Sequence, residues 1–370
     1  MSRKKRLKLK EHQLYTVLPP VWKKLKKENH IDRIYRFRAR RIERMSRLFS
    51  FGYWLQETIY AGKIHNINLQ KHSPVFILGL WRSGTTHLHY AMARDPQFGF
   101  LNNHQAFTFN LALLSGDKLN PLFDVFVPGR RPQDNVKLTL NEPAEEEQPF
   151  STMTTRSAIH SFYFPGNQSY FRKYHLFEGI SEEEKAAWKR DYLFLLKNIA
   201  LYSGKQQLLL KNPHNTGRIK ELLELFPKAK FIFIHRDPAA VFRSTKKLYN
   251  RTIHSQFLQF AGQRTIDKLI INNNREIIGK YLRERSMIPE SNLFEIAYSD
   301  LERAPWETIR SIYTKLELGG LDQAEPMIRE YLDSVRNYRK NRYAALHGRT
   351  HNKLRQEWEN IYDTWGYRHN

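Results

Sequence analysis

The chain has 370 residues, of which 41% are hydrophobic, and it carries a formal net charge of +24. It contains no cysteine, which excludes disulfides, thiolate nucleophiles and cysteine metal sites. The sequence has neither an apolar run of about eighteen residues nor an apolar N-terminal segment, the signals of a membrane span and a signal peptide. We therefore expect a globular protein of the cytoplasm.

The positive charge is concentrated at the N-terminus. The first fifty residues contain 17 Lys and Arg against 4 Asp and Glu, a net charge of +13. Apolar residues are interleaved with the basic ones as in amphipathic helices, so residues 1–70 are predicted to form a basic helical arm. Three roles are considered for this arm. It could pack on the core as a solvated appendage, contact an anionic membrane peripherally through residues 1–50, or bind nucleic acid. Because no reader motif accompanies the charge, no nucleic-acid partner is expected.

Four short apolar runs predict the strands of a sheet, at 74–78, 207–210, 230–234 and 294–298. Strands that alternate with helices predict a parallel sheet covered on both faces. Residues 104–206 are richer in helix signals and are interpreted as a helical insertion. The expected fold is therefore α/β, with residues 71–370 forming one domain after the basic arm. Helices are predicted at 49–63, 86–94, 218–226 and about 239–249.

A loop with two glycines follows the first apolar run. Its sequence at 79–86, Gly-Leu-Trp-Arg-Ser-Gly-Thr-Thr, has the glycine spacing of a Walker A loop, but Thr85 stands where that loop has its lysine. A strand that leads through such a turn into a helix directs backbone N–H groups and the positive helix end at one point, which makes an anion site. Without the lysine, γ-phosphoryl transfer is poorly supported, and Arg82 supplies the positive charge instead. This loop suits a 5′-phosphate whose outer substituent is not a phosphoryl chain on magnesium.

The stretch Arg-Ser-Gly-Thr-Thr after an apolar strand resembles the 5′-phosphosulfate loop of sulfotransferases that use 3′-phosphoadenosine-5′-phosphosulfate (PAPS). Arg236, in an Arg-x-Pro turn after a strand, and Ser244 resemble the 3′-phosphate signature of that family. Two phosphate sites on neighbouring strand–helix units are what a nucleotide phosphorylated at both ends requires. The resemblance implies a P-loop-like fold, release of 3′,5′-adenosine diphosphate, and the cofactor-binding residues Arg82, Ser83, Gly84, Thr85, Thr86, His87, Arg236, Ser244 and Tyr298.

The resemblance is closest to the broad bacterial group of sulfotransferases and extends over about residues 74–367. Tyr298-Ser-Asp-Leu resembles a segment whose tyrosine lies near the adenine, and Lys211-Asn-Pro resembles the lysine strand end of that group. Residues 131–147 resemble its acidic motif, with Glu146 in place of an aspartate, and residues 365–367 resemble a common C-terminal ending.

Two positions depart from the pattern. His87 stands where animal cytosolic sulfotransferases carry a tryptophan that stacks on adenine. Asn215 stands where the bacterial group commonly has a histidine, and His214 comes one position earlier.

Lys211 follows a strand predicted beside the cofactor strand, and we expect it to stabilise charge on the bridging oxygen as the product leaves. Two alternatives remain open for the base that takes the acceptor proton. His214 lies three residues from Lys211 and histidine titrates near neutrality; its other possible role is to cap a helix. Glu145 and Glu146 belong to a carboxylate cluster, in which mutual repulsion favours a proton on one member; their other role is to begin a helix.

The acceptor is predicted to be a small hydrophobic molecule with a hydroxyl group, such as a sterol, lipid or other alcohol. Aromatic residues make up 13% of the chain, and those in the insertion suit an apolar pocket, although they could equally form the core. A carbohydrate acceptor and, less favoured, a P-loop kinase remain as alternatives. No metal is implied, because no His-Glu-x-x-His or similar spacing is present. The aromatic residues in question are Phe107, Phe109, Phe123, Phe126, Phe150, Phe162, Tyr163 and Phe164.

Overall fold

The structure is a computed structural model that describes residues 12–116, 129, 139–337, 346 and 348–367. Phe123, Phe126 and the part of the acidic motif at 131–136 lie outside the described residues.

The strands are β1 Val75–Leu78, β2 Leu209–Lys211, β3 Lys230–His235 and β4 Leu293–Ala297. The described helices are α1 Pro19–Glu28, α2 Arg36–His65, α3 Thr85–Met92, α4 Asn103–Ser115, α5 Glu147–Met153, α6 His160–Tyr163, α7 Gln168–Phe171, α8 Lys173–Leu176, α9 Glu182–Ser203, α10 Ile219–Leu225, α11 Pro238–Arg251, α12 Gln263–Glu284, α13 Tyr298–Arg303, α14 Pro305–Lys315, α15 Leu321–Val335, α16 Gly348–Glu357 and α17 Glu359–Thr364. Short 3-10 helices span Gln13–Thr16, Arg33–Tyr35, Pro165–Asn167, Pro213–Gly217, Ile253–Gln256, Arg285–Met287 and Glu290–Asn292.

The four strands form one parallel sheet in the order β2-β1-β3-β4. Val75 of β1 is in register with Leu209 on one side and Lys230 on the other, which makes β1 a central strand. All four residues of β1 are buried, as expected for a strand that is covered on both faces. The predicted α/β fold with a parallel sheet flanked by helices is confirmed, and each predicted strand lies within two residues of its observed bounds.

The chain divides into two compact units. The first contains Met1–Asn68, Phe100–Gly204 and Leu248–Gly262, so it includes the basic arm and nearly all of the predicted insertion. The second contains Leu69–Gly99, Lys205–Lys247 and Gln263–Asn370, and it holds the whole sheet.

The first unit is built around the long helix α2, which includes the helix predicted at 49–63. Its buried face includes Ala39, Ile42 and Tyr53. Helix α4 comes so close at Gly52 that an added Cβ would lie 2.3 Å from Leu111 Cδ2. No helix in the described part of the chain is long and apolar enough to cross a membrane.

Most of the described aromatic residues of the insertion belong to the core of the first unit. The indole of Trp188 in α9 stacks on Tyr192 at 4.8 Å and meets the edge of Phe150 at 5.9 Å. Phe107 is the exception, with 39% of its surface exposed. The other five of these aromatic residues therefore belong to the core, since all are buried: Phe109, Phe150, Phe162, Tyr163 and Phe164.

The core of the second unit lies between the sheet and the helices α3, α14 and α15. Ile77 of β1 and Ile232 of β3 are fully buried against Leu88 of α3 and Ile309 of α14. Burying a side chain of this size stabilises a fold by about 1.5–3 kcal/mol. This packing fixes α3 against β1, and with it the loop that joins them.

Candidate functional site

Polar residues gather where the parallel strands end. The loop with two glycines follows β1, Lys211 ends β2, Arg236 follows β3, and Tyr298 follows β4. Because neighbouring parallel strands end at the same edge of a sheet, these residues share one edge of the second unit. In open α/β sheets this edge is where ligands bind.

Both glycines of the loop after β1 are required by its geometry. Gly79 has φ +140°, and a Cβ there would lie 2.6 Å from the Ile234 carbonyl oxygen. Gly84 has φ +108°, and a Cβ there would lie 2.2 Å from Cδ2 of Tyr298. Arg82 also adopts a left-handed backbone, with φ +73°, which is unusual for a residue with a side chain. The glycine spacing noted in the sequence therefore corresponds to a tight turn that lies against β3 and the Tyr298 ring.

The two predicted phosphate-binding arginines belong to one hydrogen-bonded network. Arg82 Nε donates to Ser244 Oγ at 2.9 Å, which joins the loop to helix α11. Arg236 Nη1 donates to the Arg82 carbonyl oxygen at 3.0 Å. The Arg236 guanidinium carbon also lies 4.2 Å from the centre of the Tyr298 ring, within the range of a cation–π interaction. The structure therefore brings Arg82, Arg236, Ser244 and Tyr298 together.

Helix α3 begins directly after the loop, with Gly84 at its N-cap position and Thr85 as its first residue. Ser83 and Thr85 are buried, whereas Thr86 is half-buried. The Ser83 hydroxyl donates to the Leu80 carbonyl oxygen at 2.8 Å, so its side chain holds the turn closed. His87 is half-buried, and its Nδ1 lies 3.4 Å from the Tyr331 hydroxyl.

Lys211 is buried at the end of β2, with 3% of its surface exposed. In sheet register it is the partner of Ile77, two residues before the loop. Burial and, second, the charge of Lys211 hold the pKa of His89 in α3 well below its usual value.

His214 lies in the 3-10 helix Pro213–Gly217 and is buried. Asn212 is the cap of this helix, since its side chain accepts from the His214 backbone N–H at 3.0 Å. The α-helix that follows, α10, has Arg218 at its N-cap position. The His214 ring meets the edge of Trp81, a residue of the loop after β1, at 4.7 Å.

Glu145 and Glu146 belong to the first unit, at the start of α5, as the helix alternative predicts. Glu146 is buried and accepts a hydrogen bond from the Tyr192 hydroxyl at 3.1 Å. The neighbouring Glu147 accepts from the Ser157 hydroxyl at 2.8 Å and from the Ala158 backbone N–H at 3.0 Å. Glu147 thus has a structural role, whereas Glu145 is half-buried.

Three further residues contribute to the site that motif reasoning did not select. Thr216 accepts from the Gly79 backbone N–H at 2.9 Å and so ties the loop to the segment after β2. Trp81 packs on His214, and His89 lies near Lys211. Each of these contacts joins two strand exits that are distant in sequence, so no local pattern could have indicated it. Within the described ranges, no group of three or more His, Asp and Glu residues could hold a metal ion.

Comparison with known proteins shows the family to which the chain belongs. Residues 74–323 match the model of a sulfotransferase family. The chain is 30% identical over 317 residues to omega-hydroxy-beta-dihydromenaquinone-9 sulfotransferase Stf3 of Mycobacterium bovis, covering 86% of this chain and 78% of that protein. The same values apply to Stf3 of Mycobacterium tuberculosis.

Two solved structures have a similar fold. Sulfotransferase STF9 from Mycobacterium avium has a TM-score of 0.65 and 19% identity, and the similarity covers 87% of this chain and 85% of STF9. Sulfotransferase STF1 from Mycobacterium tuberculosis has a TM-score of 0.63 and 17% identity over 91% of this chain and 89% of STF1. The kinase alternative finds no support among these relatives. With a family model that matches most of its length, the chain belongs to the sulfotransferase family and is a transferase enzyme.

Proposed function

We propose that this sulfotransferase carries a sulfuryl group from PAPS to the hydroxyl of a small hydrophobic acceptor and releases 3′,5′-adenosine diphosphate. The observation that carries this proposal is the network of Arg82, Ser244 and Arg236, which joins two neighbouring strand exits. A donor with a phosphate at each end of its ribose needs positive charge at two such points. Arginine suits both, because its planar guanidinium forms paired hydrogen bonds with phosphate oxygens.

The residues fit each part of this donor. The loop at 79–84, the first turn of α3 and Arg82 would hold the 5′-phosphosulfate, because backbone N–H groups and the positive helix end meet there. A side chain at Gly79 or Gly84 would clash with the Ile234 carbonyl oxygen or the Tyr298 ring, so the tight turn depends on both glycines. Arg236 and Ser244 would hold the 3′-phosphate, and Tyr298 and His87 would lie along the adenine. The chain offers this site without the lysine of a phosphoryl-transfer loop.

Binding measurements test the donor directly. We expect 3′,5′-adenosine diphosphate to bind in the absence of magnesium, and an Arg236→Ala variant to lose most of that affinity. The single substitution removes the charge that the 3′-phosphate would contact, so 5′-AMP should lose much less. Isothermal titration calorimetry measures both. A preference for Mg-ATP over the 3′,5′-nucleotide would contradict the proposal.

We further propose a lipid alcohol as the acceptor. A relative with 30% identity is named for the sulfation of a hydroxylated dihydromenaquinone, which supports an apolar acceptor class over a carbohydrate. The test is transfer of labelled sulfate from PAPS to a panel of hydroxylated quinones, sterols, phenols and glycans. Transfer to glycans alone would favour the carbohydrate alternative.

In the transfer step, the acceptor oxygen forms a bond to sulfur as the bond between sulfur and the bridging oxygen breaks. Lys211 would stabilise the charge that develops on the bridging oxygen. The base that takes the acceptor proton is His214, Glu145 or Glu146, and buried carboxylates such as Glu146 can serve as well as histidine. Separate His214→Asn, Glu145→Gln and Glu146→Gln variants distinguish them. The base is the residue whose loss lowers kcat by about 100-fold or more and removes the acidic limb of the pH–rate profile.

We also propose that the basic arm, taken as residues 1–70 before a sulfotransferase domain at 71–370, binds the surface of anionic membranes. The exposed face of α2 supports this. Phe37 and Phe51 are 76% and 68% exposed, and Leu48 and Ile59 lie on the same side, separated from them by about whole turns. Exposed arginines accompany them, at positions 36, 40, 44 and 47. Apolar side chains flanked by arginine are typical of helices that lie in the interface of a bilayer with anionic lipids.

A further inference from the structure

The last described residues of the chain fold back onto the exit of β3. Helix α17 ends at Thr364, and Gly366, with φ +61°, turns the chain so that the Tyr367 backbone N–H donates to the Tyr362 carbonyl oxygen at 3.0 Å. Residues 365–367, called the C-terminal segment below, thereby reach His235, which directly precedes Arg236.

Trp365 of the C-terminal segment stacks on two side chains of β3. Its ring centre lies 5.3 Å from that of Phe233 and 4.9 Å from that of His235, at interplanar angles of 23° and 14°. Phe233 and His235 are two residues apart and therefore project from the same face of the strand. Tyr281 of α12 also stacks on Phe233, with ring centres 4.0 Å apart. The exit of β3 is therefore held by aromatic rings from the end of the chain and from α12.

A hydrogen bond fixes the orientation of the His235 ring. Its Nδ1 lies 2.7 Å from the Tyr367 hydroxyl oxygen. Burial lowers the pKa of His235 to about 4, against the opposing effect of the nearby carboxylates, so the ring is neutral near pH 7. Burial also raises the pKa of Tyr367, so the phenol keeps its proton. A neutral ring and a protonated phenol can form this bond with either partner as the donor, according to the tautomer of the ring.

Arg236 directly follows His235, so its backbone is held by the contacts of His235 with the C-terminal segment. Its guanidinium stacks on Tyr298 and donates to the Arg82 carbonyl oxygen, as described above. We propose that Trp365 and Tyr367 are positioning residues for Arg236, because by fixing His235 they fix the backbone from which Arg236 reaches the 3′-phosphate. This inference rests on the proposed function, which assigns that phosphate to Arg236. A guanidinium that is already oriented loses less conformational freedom when it binds.

The test compares the affinity for 3′,5′-adenosine diphosphate with the affinity for 5′-AMP. The ratio of these two affinities is measured in Tyr367→Phe and Trp365→Leu by titration calorimetry on the full chain. We expect Tyr367→Phe to weaken binding of 3′,5′-adenosine diphosphate about fivefold, and Trp365→Leu more than about tenfold, which corresponds to ~1.4 kcal/mol. Binding of 5′-AMP, which lacks the 3′-phosphate, should change less than about twofold. A merely structural role would lower both affinities together.

Tyr313→Phe is the matched control, because it also removes a buried tyrosine hydroxyl of the second unit, one that donates to Asp95 at 2.5 Å. It should leave the ratio unchanged. If Trp365→Leu is unstable, the inference is tested with Tyr367→Phe alone, because that substitution removes only one oxygen atom. An unchanged ratio in a folded Tyr367→Phe variant overturns the inference. Equal binding of both nucleotides by the wild-type protein would instead overturn the 3′-phosphate site, and the inference with it.

Discussion

Gly84 has no side chain, and the Tyr298 ring occupies the space in which one would lie. In Gly84→Ala the new Cβ would lie 2.2 Å from a ring carbon, at a φ of +108° that alanine rarely adopts. We expect the loop to shift, at a cost of about 1–3 kcal/mol in the free energy of unfolding, and 3′,5′-adenosine diphosphate to bind at least about tenfold more weakly. Chemical denaturation and calorimetry measure the two effects.

Gly62→Ala is the matched control. Gly62 lies in α2, and a Cβ there would have no neighbour within 4 Å. Alanine is a better helix former than glycine, so this variant should gain up to about 1 kcal/mol in stability and bind nucleotide normally. Full nucleotide affinity in Gly84→Ala would contradict the placement of the 5′-phosphosulfate at this loop.

Lys211 and Lys280 are both buried lysines of the second unit, but their surroundings predict different effects. We expect Lys211→Met to lower kcat about 100- to 1000-fold, because it removes charge that stabilises the leaving oxygen. Initial rates with labelled PAPS test this, and nucleotide affinity should change only a few-fold.

Lys280→Met provides the contrast. Lys280 lies 2.7 Å from the half-buried Glu284 and 3.5 Å from the buried Glu221, so its loss removes a cation that both carboxylates contact. We expect a loss of about 3–5 kcal/mol in stability, with kcat per folded molecule retained. A Lys211→Met enzyme with the wild-type kcat would refute the role given to Lys211.

At the scale of single elements, α2 has one face in the core of the first unit and the opposite face exposed. If the exposed face binds membranes, Phe51→Ser should weaken binding to phosphatidylglycerol vesicles about tenfold, since a phenylalanine contributes about 1.5–3 kcal/mol when it leaves water. Vesicle sedimentation measures this.

The matched control for the exposed face of α2 is Met287→Ser, because Met287 is 49% exposed but lies in the second unit. It should leave vesicle binding unchanged. Equal loss in both variants, or no binding of the wild-type protein to anionic vesicles, would argue against a membrane role for α2.

For the molecule as a whole, histidines whose pKa is lowered by burial predict a pH-dependent stability. Burial lowers the pKa of His12 to about 3, and that of His160 and His235 to about 4. Unfolded histidine binds a proton near pH 6.5, so the unfolded state takes up more protons below that pH, and stability falls as the pH drops from about 6.5 towards 4. Each histidine contributes up to about 1.4 kcal/mol per pH unit.

Urea denaturation at pH 7, 6 and 5 measures this dependence. His235→Phe should reduce its slope, because it removes one of these titrating groups while keeping an aromatic ring in the stack. A free energy of unfolding that is constant between pH 7 and 5 would contradict the neutral, buried state of these rings.

Those parts of the fold that depend on local patterns could be predicted from the sequence. The four strands could be predicted, because buried parallel strands are apolar runs that end at turn residues. The loop at 79–86 could also be predicted, because its glycines adopt positive φ angles that other residues rarely adopt. The predicted position of Lys211 beside the central strand is confirmed by its register with Ile77. By contrast, the length of α2 could not be predicted, because Gly52 looks like a helix breaker but is required for the close approach of Leu111. Contacts such as Thr216 with Gly79, or Trp365 with His235, depend on tertiary packing and left no periodic signal.

The strand order also constrains how the chain can be made. Central strand β1 comes early in the sequence, but its neighbours β2 and β3 begin only at Leu209 and Lys230. During synthesis, more than a hundred residues must therefore be added after residues 75–78 and the loop that follows them before β1 can pair with a neighbouring strand on either side. Such non-local pairing is slow and leaves strand edges exposed to aggregation. Ribosome-bound chains that end before β3 should thus lack the anion site altogether, and expression of this enzyme should respond to chaperone supply.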